Sequence, residues 1–173
     1  MAKINRIGFG QVEPNHLSAQ VTGQIYAQLS ADSEISVLEN GQFVKYNYAE
    51  NKVDFSGAGE WMMVFNEVKL YDGWRETYKD FAMQKGNYTE GVMTPRVIKT
   101  NIGDIYTTNC LEKGNTSGKA EVEGTEEIEV GDVLKINKNG FLAKAGTSEM
   151  EFQVVKVYTL PDGQAAVKVM RIA

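Results

Sequence analysis

The sequence predicts a mainly β protein: a compact β-barrel or β-sandwich-like module with an extended N-terminal arm and room for one short helix. Two patterns predict it, and both are densest in the C-terminal third. β-Branched residues alternate with polar ones, the period of a strand with one buried face. Between these runs stand Asn-Gly and Pro-Asp-Gly, which supply the positive φ and the preset φ of tight turns. Thus Val133–Ile136 is followed by the turn Asn137–Gly140 and by Phe141–Ala145. Phe152–Tyr158, Pro161-Asp162-Gly163 and Ala165–Ile172 repeat the scheme.

The upstream elements are read the same way. Residues 1–20 lack periodicity and carry Gly8, Gly10 and Pro14, which suits an extended arm ordered by a neighbour rather than by its own core. Residues 21–91 read as a β-rich subdomain and residues 92–173 as the barrel-like domain. Ile25, Ala27 and Leu29 alternate and mark a first strand. Ile35–Leu38 and Phe43–Tyr48 flank Glu39-Asn40-Gly41-Gln42, a strong hairpin signal. Lys52–Phe55 leads into the loop Ser56–Gly59, and Trp61–Tyr71, the longest apolar stretch, reads as a buried strand.

Asp72-Gly73 is either a hairpin turn or the start of a short helix. The helix would place Trp74, Tyr78, Phe81 and Ala82 on one face and end at Gly86, the better arrangement for burial. Arg96–Thr100 and Ile105–Leu111 are expected to pair across Asn101–Asp104. Glu121–Asp132 carries five Glu and one Asp. With Ile128 and Val130 inward, it reads as an edge strand protected by charge against stray pairing.

Composition narrows the function classes. A chain of 173 residues can bury roughly 70% of its unfolded surface, enough for one domain with a subdomain and a tail. Its net charge of −5 argues against a phosphate-binding surface, so nucleic acid is not an expected partner. Cys110 is the only cysteine, which rules out an intrachain disulfide. Met1–Arg6 lacks the apolar core of a signal peptide, and no apolar run approaches the ~18 residues of a membrane span. The expectation is synthesis in the cytoplasm with no membrane contact.

The candidate chemistry is thin. His16 is the only histidine, sits beside Pro14 and Asn15, and reads as a surface or partner contact rather than a base or ligand. Cys110 lies in a predicted strand without an evident base and reads as a small buried apolar residue. Gly8-Phe9-Gly10-Gln11-Val12-Glu13 begins like a dinucleotide fingerprint but has Glu13 at the third glycine. The Glu121–Asp132 carboxylates alternate along a strand instead of converging on a calcium loop. No catalytic residue, metal or cofactor is expected. Trp61 and Trp74 offer aromatic surface for a sugar, although core packing explains both.

Gly131-Asp132-Val133-Leu134, Phe141-Leu142-Ala143, Phe152–Val157 and Gly163-Gln164-Ala165-Ala166-Val167-Lys168-Val169 together resemble the barrel-like pattern of capsid decoration (cement) proteins of tailed bacteriophages. Pro95–Asn109 has a similar likeness to phage head proteins. The resemblance covers about half the chain; residues 31–91 have no counterpart in it. It implies a virion structural protein, made in the bacterial cytoplasm, that binds the major capsid protein on the capsid surface, often as a homotrimer. In that setting the arm would lie across a capsid seam. Ile4, Ile7, Phe9 and Val12 would be apolar anchors, Lys3 and Arg6 would meet acidic groups, and His16 would be a further contact. Alternatives are another virion subunit (head fibre or tail tube) or a carbohydrate-binding module using Trp61, Trp74 or neighbouring Tyr residues.

Overall fold

The computed structural model describes residues 2–6, 9–18, 25–26, 29–66, 82–112, 122–159 and 165–173. The fold is mainly β, as the sequence predicts. In chain order the strands are β1 (Ala2–Arg6), β2 (Val12–His16), β3 (Ile25–Tyr26), β4 (Ser30–Ala31), β5 (Val37–Glu39) and β6 (Phe43–Asn47). Next are β7 (Lys52–Asp54), β8 (Met62–Val64), β9 (Ala82–Gln84), β10 (Val97–Ile98) and β11 (Ile105–Thr108). The last five are β12 (Val122–Ile128), β13 (Val133–Ile136), β14 (Leu142–Ala143), β15 (Glu151–Thr159) and β16 (Ala165–Arg171).

Two six-stranded sheets organise the molecule. One has the order β3-β10-β8-β6-β7-β4, the other β14-β13-β15-β16-β11-β2, and the ribbons β5-β9 and β1-β12 accompany them. Alternation along the first sheet decides the layering. Phe43, Met63 and Ile98 point into a core shared with Tyr106, Leu134, Phe152, Val154, Val167 and Val169 of the second sheet. Their neighbours Val44, Met62, Val64 and Val97 point the other way, into a core with Leu38 of β5 and Met83 of β9. The first sheet is therefore buried on both faces, which is why Met62-Met63-Val64 is continuously apolar. An aromatic contact ties the layers: the Phe43 and Phe152 rings lie 5.3 Å apart, and within the second sheet Tyr106 meets Phe152 edge-on at 6.1 Å.

The second sheet is curled into a half-barrel. One contact requires the curl. The Tyr158 hydroxyl on β15 donates to Glu13 on β2, although β16 and β11 lie between those strands. In a flat sheet β15 and β2 would stand about 14 Å apart, more than a tyrosine and a glutamate span together.

The C-terminal hairpins fall where the turn residues place them: β13 pairs with β14 around Asn137–Gly140, and β15 with β16. Two other expected hairpins are turns without hairpins. Glu39–Gln42 reverses the chain, with the Gln42 amide donating to the Glu39 carbonyl, yet β5 pairs with β9 while β6 pairs with β7 and β8. Likewise Asn101–Asp104 turns the chain from β10 in the first sheet to β11 in the second. Both turns are corners between layers. The boundary expected at residues 91 and 92 does not divide the sheets either, because β10 pairs with β3 and β8.

Three further expectations change. Ala82, expected on a helix face, lies in β9, and single-turn 3-10 helices follow at Lys85–Asn87 and Thr89–Gly91. Residues 67–81, the rest of that expected helix and the end of the Trp61–Tyr71 run, lie outside the described residues, as does Trp74. Ile128 is buried as expected, but Val130 sits exposed on a turn tip, because the strand has already ended at Ile128. Finally, the described part of the first twenty residues forms strands but not a free arm. β1 pairs with β12, β2 is the edge strand beside β11, and Leu17 is buried in the first core.

Candidate functional site

The N-terminal segment is attached by side chains reaching from far along the chain. The Gly10 amide donates to Glu39 at 2.7 Å and the Gln11 amide to Asn109 at 2.8 Å. The Ser18 amide and hydroxyl both donate to Asp104 at 3.0 Å, and Thr107 donates to Asn15 at 2.8 Å. Gly10 fits because it has no side chain: a Cβ there would lie 2.6 Å from the Asn40 carbonyl and 2.7 Å from Cys110 Sγ.

The same device recurs elsewhere. Asp54 accepts from Asn47 at 2.9 Å and from the amides of Ser56 and Gly57 at 2.9 and 2.7 Å. Burial alone would raise the Asp54 carboxyl, but these bonds bring it below its ordinary value. Asn40 binds the Asn66 amide and Asn66 in turn binds the Arg96 amide, fastening β8 to the segment before β10. The buried carboxylates among the described residues are Glu39, Asp54 and Asp104, and each one accepts from main-chain amides. They are held as structural acceptors of the chain's own amides.

Among the described residues, two surface grooves are candidate binding places. One, of about 760 Å³, is lined by Phe55, Phe141, Asp32, Glu34 and Lys52 among others. Lys52 bridges Asp32, at 2.5 Å, and Glu50, so its ammonium titrates above its ordinary range and Asp32 below its own. The other, of about 740 Å³, is lined by Lys45, Glu60, Trp61, Met150 and Arg171. Its charged groups are strongly engaged. Arg171 donates to Glu60 at 2.8 Å, to the Thr100 carbonyl and to the Ala173 carbonyl at 2.9 Å, bridging the two sheets at the end of the first core. Trp61 packs against that core and carries the Lys45 ammonium 4.8 Å from its ring centroid. A sugar stacking on Trp61 would have to displace Lys45, which weakens the carbohydrate alternative.

The residues expected to meet a partner are dispersed. Lys3, Ile4 and Arg6 lie on β1, and Ile7 is outside the described residues. Phe9 is half-buried, and Val12 packs against the chain's own first core, so its side chain already serves the fold. His16 is exposed on β2 opposite Ile105. Pro14 sits in the same edge strand and has no amide to offer, so β2 is poorly suited to pairing with an added strand. Cys110 is buried, and no group of three or more His, Cys, Asp or Glu among the described residues could hold a metal ion. No helix among them is long and apolar enough to cross a membrane.

No family model, curated protein or solved structure matches the chain.

Proposed function

We propose that the chain is a virion structural protein that binds the outside of a tailed-phage capsid lattice and stiffens it. The observation that carries this reading is the use of its polar groups. Side chains separated by up to 98 residues from the amides they bind, as Asn109 is from Gln11, brace the chain's own backbone. The result is a doubly cored β module whose corners and N-terminal strand are pinned. A clamp on a pressurised shell needs such stiffness, because a compliant module would deform rather than transmit load.

The segments that resemble decoration proteins support the same reading. Val133-Leu134, Phe152–Val157 and Ala165–Val169 fall on the adjacent strands β13, β15 and β16 and so form one continuous surface. The partner is the major capsid protein, engaged through several weak contacts that a symmetric homo-oligomer, a trimer in the related architecture, would multiply. Sedimentation of the purified chain with emptied, undecorated capsids should be saturable, and light scattering should give a monomer or closed trimer. No co-sedimentation at any salt concentration would refute the proposal, and open polymers would favour a tube subunit.

A further inference from the structure

The hairpin β15–β16 sets two like charges side by side, with no described carboxylate paired to either. Lys156 and Lys168 are direct register partners, so their Cβ atoms lie about 4.5–5.5 Å apart. Like charges directly opposite each other destabilise a sheet. Among the described residues no carboxylate forms an ion pair with either ammonium. Each ammonium instead lies beside the same ring, at 5.7 and 5.8 Å from the centroid of Tyr158. The carboxylate of Glu13 accepts from the Tyr158 hydroxyl and forms no ion pair with either lysine.

A register irregularity makes this pair. Val154 faces Val169 and Lys156 faces Lys168, so Val155 is passed over in the ladder. Val154 and Val157 both pack on the first core, and the slip between them puts Lys156 on the outer face with Lys168. Bulges of this kind re-aim side chains and concentrate at functional places. Here the bulge assembles a repulsion, and the Tyr158–Glu13 bond fixes the ring both lysines share. Ile105 and Met170, partners in the next row, are half-buried on the same face and give it an apolar flank.

We infer that this face docks an acidic segment of the capsid partner, with a carboxylate seated between Lys156 and Lys168 beside Tyr158. The assignment rests on the capsid-binding reading above. A protein carboxylate suits the place better than nucleic acid: two lysines answer one or two carboxylates, whereas a phosphate backbone calls for a longer row of cations.

The test compares wild type with Lys156→Gln/Lys168→Gln. In the free chain the double variant should melt no lower than wild type, because a repulsion has been removed. Its attachment to undecorated capsids should weaken about tenfold or more. Wild-type attachment matched by the variant overturns the inference and leaves the capsid reading standing. If wild type itself fails to attach, the capsid reading falls, and a poly-glutamate peptide titrated into the free chain decides the site. Shifts at the Tyr158 and Met170 resonances that vanish in the variant support it; no shifts, or equal binding of duplex DNA, overturn it.

Discussion

Replacing Gly140 by alanine tests how the turn after β13 is seated. Gly140 has φ +81°, where an alanine costs about 1–2 kcal/mol. A Cβ there would stand 2.0 Å from the Phe43 carbonyl oxygen, so the turn has to lift away from β6. Lifting it breaks the bond from the Phe43 amide to the Gly140 carbonyl, 2.7 Å long, and strains that from Gln42 to the Asn139 carbonyl, 2.9 Å. Leaving a buried amide unpaired adds about 1–3 kcal/mol. Together the loss is about 2–5 kcal/mol, roughly 4–20 °C in Tm for a chain of this size. Urea unfolding followed by circular dichroism measures it directly. Gly86→Ala is the control: nothing lies within 4 Å of its added Cβ, so it should change stability by no more than about 0.5 kcal/mol. A cost below about 1 kcal/mol at Gly140 would refute the seating of the turn on β6.

Other perturbations address the braces. Arg171→Leu should cost about 2–3 kcal/mol by leaving the Thr100 carbonyl without its Arg171 donor and Glu60 with Lys99 alone, and Arg171→Lys should restore only part of it, because lysine lacks the planar fork. The Tyr158 phenol is pushed up to about 12 by its bond to Glu13 and by burial. The stability it lends is therefore whole below the ordinary value near 10 and lost as pH rises through about 12; Tyr158→Phe should abolish that alkaline step in a pH series of unfolding curves. Asp54 has the opposite sign. Its folded carboxyl lies below the ordinary 3.8, so its contribution is present above that value and fades as pH falls through the lowered one. Asp54→Asn should cost about 2 kcal/mol at neutral pH, with the gap to wild type closing in acid.

The sequence made the turns legible and left the pairings hidden. Asn137–Gly140 and Asn101–Asp104 both announce a reversal, because Asn, Gly and Asp fix local dihedrals. Only the first joins paired strands. Which edge a strand meets depends on what lies across the core, and a turn does not encode that. The clue lay in the side chains: Phe43-Val44 and Met62-Met63-Val64 are apolar at consecutive positions, the mark of a sheet covered on both faces rather than a half-buried hairpin.

The Lys156–Lys168 pair was hidden for a related reason. Strict alternation puts Val154 and Lys156 on one face, and only the bulge separates them. The adjacent valines Val154-Val155 are the single break in pattern that betrays it. The N-terminal arm was misread because its anchors are not its own. Glu39, Asp104 and Asn109 lie up to 98 residues away and show no local signature.

The decisive measurement is electron cryomicroscopy of emptied capsids incubated with the chain and compared with the same capsids untreated. Attachment predicts added density of this β module at symmetry-related lattice positions, with the β15–β16 face against acidic capsid residues. Shells identical with and without the chain would contradict the account.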